Sequence, residues 1–210
     1  MIEKIVLALW ENPAGFFALV GLLALILFGL HLRRIRFTTV MLLHISLMVA
    51  LAFLLHQVRL YHFPQGGSVT LGSMVPLLLL SYRYGPGIGA LAGFLYGFLN
   101  LMQDPFILHP VQVLFDYPLS SMAMGLAGFL PHRVFLAAIG AFLGRFFCHF
   151  VSGVVFFSSY APEGMSPILY SLTVNASLLL PECFICCLAL KVLPLRRLLH
   201  AMGENTNQHS

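Results

Sequence analysis

The sequence predicts an all-α integral membrane protein, and three observations carry that prediction. Sixty per cent of the 210 residues are apolar and the mean hydropathy is +0.93. Only 9% are charged, against about 25% in an ordinary globular domain, so the chain cannot clothe a water-facing surface of its size. The apolar residues also fall in runs close to the ~20 residues that a helix needs to cross a bilayer. The same scarcity excludes nucleic acid as a partner. The formal charge of +4 comes from basic residues scattered through an apolar chain, which make no basic face.

Seven helical segments follow in order. Segment A, Ala14 to Leu32, and segment B, Phe37 to Val58, contain no Asp, Glu, Lys or Arg. Glu3, Lys4 and Glu11 precede A in place of a basic leader region, so A reads as a retained span rather than a signal peptide. Segment C, Leu71 to Tyr82, is short and bounded by Gly66-Gly67 and Gly85-Pro86-Gly87. Segment D, Ile88 to Met102, carries Gly89, Gly93 and Gly97, which admit close approach of a neighbouring helix. Segment E, Val111 to Leu130, holds Asp116 and Pro118 near its start. Segment F, Val134 to Phe157, holds Arg145 and His149 in its middle, and segment G, Ile168 to Leu193, holds Asn175, Pro181 and Glu182.

Alternating seven spans puts Arg33, Arg34, Arg36, Arg83, Arg133, Lys191, Arg196 and Arg197 on one side, eight of the eleven basic residues. The other side has Lys4 and Arg59, and Arg145 is intramembrane. The basic side is expected to be cytoplasmic, with the N-terminus outside and the C-terminus inside. The outward connections, His56–Thr70, Gln103–Pro110 and Ser158–Pro167, then form the mouth of the bundle.

Intramembrane ionisable groups usually face the bundle interior and serve function. Arg145, His149 and Gly153 stand at i, i+4 and i+8, with Phe156 and Phe157 continuing the stripe. That stripe suits a small, polar, partly aromatic ligand. Asp116, followed by Tyr117 and Pro118, is expected to neutralise itself or find a cation, either Arg145 as a structural tie or a positively charged ligand. In the structural alternative His149 is a satisfied core histidine. Tyr170 and Asn175, five residues apart, lie about 140° apart on a straight helix, so both face one pocket only if that helix starts irregularly. Glu182 beside Pro181 reads as a packed, protonated side chain or a relay carboxylate. Ser46 and Ala50, with Ala52 beside them, offer small residues on B where another helix can dock. Cys183-x-x-Cys186 lacks a second ligand pair, so no metal site is expected. No glycine-rich phosphate loop precedes Lys4 or Lys191, so any uphill transport draws its energy from elsewhere.

From about Thr38 to Pro194 the chain resembles the thiamine-specific substrate-binding S component of energy-coupling factor (ECF) transporters. The similarity is sharpest in Asp104-Pro-Phe-Ile-Leu-His-Pro-Val-Gln112, in Asp116-Tyr117-Pro118, in the block from Arg145 through His149, Gly153 and Phe157 to Gly164, and in Tyr170 to Asn175. The resemblance implies a six-helix ECF S-component bundle over residues 37–197, an extra N-terminal transmembrane helix within 1–36, and a cytoplasmic tail over 198–210. It implies a cell-membrane subunit that binds thiamine without chemistry or cofactor. It further implies partnership with a transmembrane coupling protein, docking near Ser46 and Ala50, and with two ATPase subunits. The pocket implied is Asp116, Tyr117, Arg145, His149, Gly153, Phe157, Tyr170 and Asn175, with Tyr61 or Phe63 supplying a further aromatic. Family members can carry Lys at Arg145 and Trp at Phe157. Two alternatives remain open: the same fold with a thiamine precursor such as hydroxymethylpyrimidine, or an intramembrane hydrolase using His149 with Asp116 or Ser152.

Overall fold

The computed structural model describes residues 13–63 and 66–203; Glu3, Lys4, Glu11 and the tail beyond Gly203 lie outside them. The elements in order are α1 (Pro13–Leu32), α2 (Thr39–Gln57), a β-hairpin of β1 (Arg59–His62) and β2 (Ser68–Thr70), α3 (Val75–Tyr84) and α4 (Pro86–Gln103). A composite helix, α5, follows. It opens as an α-helical turn (Pro110–Leu114), widens into a π-turn (Phe115–Leu119), returns to α over Ser120–Met122 and ends as 3-10 helix (Ala123–Phe129). Then come α6 (Val134–Phe156), a 3-10 turn (Ser158–Tyr160), α7 (Pro167–Val192) and a short α8 (Leu195–Ala201).

Four helices, α1, α2, α6 and α7, are long and apolar enough to cross a membrane. Their outer faces expose residues such as Leu47, Leu54, Leu143, Phe147, Leu180 and Phe184, the pattern expected where lipid is the solvent. The other segments are shorter or more mixed. Segment C materialises as only ten helical residues, about 15 Å, with Val75 through Tyr82 all buried. It is a core helix enclosed by its neighbours, not a lipid-facing span.

The glycines of α4 explain how the centre closes. A Cβ on Gly93 would collide with the backbone carbonyl of Ser121, and one on Gly97 would lie 2.5 Å from Tyr117 O and 2.8 Å from Pro118 Cα. Backbone therefore meets backbone between α4 and α5, as small residues permit in membranes. Segment E is an unbroken helix in expectation; the structure replaces it with three helical registers, because Pro118 offers no amide hydrogen and the turn around it takes the wider pitch.

The hairpin was not expected, since the region reads only as a loop. Its turn uses Gly66 (φ 87°) and Gly67 (φ 86°), a left-handed conformation that glycine adopts without penalty. Arg59 pairs with Thr70, and His62 with Ser68.

The bundle has two chemically distinct ends. At one, His31 and Ile35 pack on Gly87, and Arg83 Nε and Tyr84 OH both donate to Met202 O at 3.4 Å. Arg33, Arg34, Arg133, Arg196 and Arg197 lie in the connections and the short helix at this end. At the other, Gln103 Nε2 donates to Gln57 Oε1 at 2.7 Å, and Phe106 stacks on Phe157. The basic residue of this end, Arg59, is bound to Asp104 Oδ2 at 2.8 Å.

Candidate functional site

A cavity opens at the end of the bundle that holds the hairpin, with about 1030 Å³ of empty space counting its mouth. Its walls come from the hairpin, the Gln103–Pro110 connection, α5, α6 and α7. Asp116, Tyr117, Arg145, His149, Gly153, Phe157, Tyr170 and Asn175 all line it, so residues separated by up to 59 positions in the chain meet around one space.

Helix α6 supplies a straight stripe. Arg145, His149, Gly153 and Phe157 recur every four residues and all face inward, as the helical period requires. Phe156 leaves the stripe and stacks on His109 instead, with centroids 5.1 Å apart. Helix α7 presents a much wider face. Tyr170, Ser171, Val174, Asn175, Leu178, Leu179 and Glu182 line the cavity, spanning roughly half the circumference at 100° per residue. The 140° between Tyr170 and Asn175 therefore needs no irregular start; α7 is helical from Pro167 onward.

Asp116 does not pair with Arg145. Its Oδ2 accepts from Gln112 Nε2 at 2.7 Å, and its Oδ1 lies 3.2 Å from His149 Nδ1. An ionised carboxylate only accepts hydrogen bonds, so His149 turns an N–H toward it. Among the described residues no Lys or Arg forms an ion pair with Asp116. A neutral amide and an imidazole thus hold the carboxylate in place, and no fixed cation cancels it.

Arg145 is buried at 7% exposure. Its Nη1 reaches Met74 Sδ at 3.3 Å and Ser121 Oγ at 3.4 Å, and its Nε has no hydrogen-bond partner. A buried guanidinium whose Nε has no partner and which meets no carboxylate in an ion pair among the described residues is costly unless something else completes it. Asn175 is likewise half-used. Its Nδ2 donates to Ser171 O at 2.8 Å and His149 O at 3.3 Å, and its amide oxygen carries no hydrogen bond from the described residues.

Gly153 lines the cavity, yet a Cβ there would strike Ser171 Oγ and lie 2.9 Å from Ser171 Cβ and 3.3 Å from Asn175 Nδ2. The glycine brings α6 against α7 at the wall of the cavity. Tyr117 spends its hydroxyl on the backbone, donating to Asp104 O at 2.8 Å and accepting from Phe106 N at 2.7 Å. What it offers the cavity is its ring.

The mouth is aromatic. Phe106 and Phe157 stack at 5.7 Å with planes 19° apart, and Tyr160 meets Phe106 edge-on at 6.3 Å. Of the two aromatics in the hairpin region, Phe63 lines the cavity while Tyr61 is 57% exposed. The floor holds Glu182, whose Oε1 accepts from Thr70 Oγ1 at 2.7 Å and Ser73 Oγ at 3.2 Å, and His56, whose Nδ1 lies 2.8 Å from Tyr96 OH.

Several lining residues escape the sequence reading. Gln112 stands one helical turn before Asp116, so its spacing was available as a signal. Phe106 lies inside the Asp104–Gln112 block, and Asn100 is an amide one turn before the end of an apolar helix. His56 has no such signal, because nothing in the chain announces that the end of α2 reaches the cavity. Ser152 Oγ is buried with no hydrogen-bond partner, so no base activates it, as nucleophilic catalysis requires. Ser46 and Ala50 lie exposed on the outer face of α2, whereas Ala52 is fully buried on the inner face and is no part of that surface.

Residues 42–201 match the thiamine transporter protein family (Thia_YuaJ). A thiamine transporter, ThiT, of Bacillus subtilis (strain 168) is 36% identical over 173 residues, covering 73% of this chain and 90% of that protein. A ThiT of Lacticaseibacillus paracasei is 33% identical over 123 residues, covering 49% of this chain and 61% of that protein. The fold is that of a solved structure of ThiT from Listeria monocytogenes, with a TM-score of 0.69 and 23% identity over 77% of this chain and 96% of the other.

Proposed function

Because the chain belongs to the thiamine transporter protein family, a family of transporters rather than enzymes, we propose that it is the thiamine-binding S component of an ECF-type uptake system. It is a multi-pass membrane protein, with residues 37–197 as the binding core and the 1–36 segment as an addition to it. The cavity end faces outward and the basic end faces the cytoplasm, in keeping with the positive-inside rule. Thiamine enters from outside and is released inward through the action of a transmembrane coupling protein and two ATPase subunits. Ser46 and Ala50, small and exposed on α2, offer a docking face for that coupling protein.

The observation that carries the ligand is Asp116 held by Gln112 and His149, with no Lys or Arg among the described residues paired to it, in a cavity with an aromatic mouth. Thiamine combines a permanently cationic thiazolium, an aminopyrimidine and a hydroxyethyl arm. A carboxylate with no protein counter-cation suits the thiazolium, and ring faces at Phe157, Phe106, Tyr117 and Tyr170 attract it by about 0.5–2 kcal/mol each. The guanidinium of Arg145, which lines the cavity, can donate to a pyrimidine ring nitrogen, and the open oxygen of Asn175 matches the exocyclic amine. His149 orients Asp116, and Gly153 sets the spacing of the helices that carry these groups. No cofactor takes part.

Calorimetric titration of the purified protein tests this reading. Thiamine is expected to bind tightly, and Asp116→Ala and Asn175→Ala to weaken it severely. Unchanged affinity in both variants overturns the pocket assignment. Tighter binding of hydroxymethylpyrimidine than of thiamine would assign the site to the precursor instead, since that ligand lacks the cation Asp116 awaits.

A further inference from the structure

Thiamine binding as described makes no use of α1, yet the helix is not an independent passenger. It touches the bundle along one narrow face. The Phe17 ring meets Phe115 edge-on, with centroids 5.7 Å apart and planes at 82°. One turn on, Gly21 is the buried residue of the helix. A Cβ there would lie 2.7 Å from Leu114 Cδ2 and 3.4 Å from both Leu119 Cδ1 and Phe115 Cε2. Leu114, Phe115 and Leu119 bracket Asp116, Tyr117 and Pro118. Gly97 of α4 in turn packs on Tyr117 O and Pro118 Cα. The π-turn that carries Asp116 is therefore gripped by two glycines on two different helices.

A π-turn needs such a grip. It inserts one extra residue into a helical turn, is rare, and concentrates at functional sites. The competing α-helical register would rotate Asp116 by about 100° around the helix axis and carry it away from His149. Lipid tails conform to either register and so cannot choose between them. A helix with Phe17 and Gly21 shaped to Phe115 and Leu119 can.

We infer that α1 is a built-in buttress of the ligand site, with Phe17 and Gly21 as positioning residues that hold Phe115 and so aim Asp116 and Tyr117 into the cavity. Neither residue touches the ligand. This inference rests on the thiamine reading of the cavity.

The test is thiamine titration and dissociation kinetics on the full chain carrying Gly21→Leu, with Gly29→Leu as control. Gly29 has no atom within 4 Å of a would-be Cβ, so it receives the same substitution on the same helix without touching α5. Gly21→Leu is expected to lower thiamine affinity about tenfold or more, the scale set by a small misplacement of a binding group, and chiefly by faster dissociation. Gly29→Leu is expected to change it less than about twofold. In an Asp116→Asn background Gly21→Leu is expected to add less than about twofold, because the group it positions is already disabled. A merely structural role would lower affinity by the same factor in both backgrounds. If Gly21→Leu fails to fold, Phe17→Ala takes its place, with the same background dependence expected. Wild-type affinity in a folded Gly21→Leu protein, an equal loss in Gly29→Leu, or an undiminished loss beside Asp116→Asn each overturns the buttress. Asp116→Asn binding thiamine as well as wild type would instead overturn the thiamine reading of the cavity, so the two failures are separable.

Discussion

Asp116 concentrates the chemistry of the cavity because its two partners are an amide and an imidazole rather than a lysine or arginine. Gln112 and His149 fix where the carboxylate points and leave its charge for the ligand. Asp116→Asn keeps the shape and one of the two acceptor positions but removes that charge. It is expected to weaken thiamine about 10- to 100-fold, the range for losing a hydrogen-bonded charge of about 1.5–3 kcal/mol, while the neutral hydroxymethylpyrimidine loses little. Competition binding with both ligands checks the difference. Gln112→Ala frees one carboxylate oxygen and is expected to cost about tenfold for one charge-assisted hydrogen bond, measured in the same assay. The stripe of Arg145, His149, Gly153 and Phe157 was legible because the helical period turns spacing into a face. The partner of Asp116 was not. Whether a carboxylate meets Arg145 or His149, one turn apart on the same helix, depends on how deep α5 sits against α6, and no local pattern records that depth.

Among the elements, the helix contacts are set by missing side chains. Gly153→Ala would drive α6 and α7 apart at Ser171, which sits under the added methyl, and displace Asn175 with it. It is expected to lower both thermal stability and thiamine affinity, and adding Ser171→Gly is expected to restore much of each; melting curves in detergent with and without thiamine check this. Gly97→Ala has no such rescue, because it meets the backbone of Tyr117 and Pro118, and backbone cannot be trimmed. The Gly89, Gly93 and Gly97 series of α4 was readable as a close-approach face. The π-turn was not: Pro118 announces an interruption, but the choice of a wider register comes from the surfaces packed against it. The hairpin also escaped, since strands of four and three residues carry too few alternations to register against the glycine turn between them.

For the molecule as a whole, the charge distribution is read by counting rather than from contacts, and the orientation it predicts is open to direct test. The structure sharpens the count. Arg59, the basic residue at the cavity end among the described residues outside the helices, is neutralised by Asp104. Single-cysteine labelling with a membrane-impermeant maleimide tests the orientation: Glu163→Cys is expected to react from outside intact cells, and His132→Cys only after permeabilisation. The reverse pattern would turn the protein over. The shortness of α3 has a consequence for how the protein is made. Ten residues reach about half-way through a hydrocarbon core some 30 Å thick, so insertion machinery that samples segments one at a time has no reason to retain this one. It can settle only once α4 emerges behind the tight Gly85-Pro86 turn and packs against it, so the burial of α3 waits on helices that are made after it.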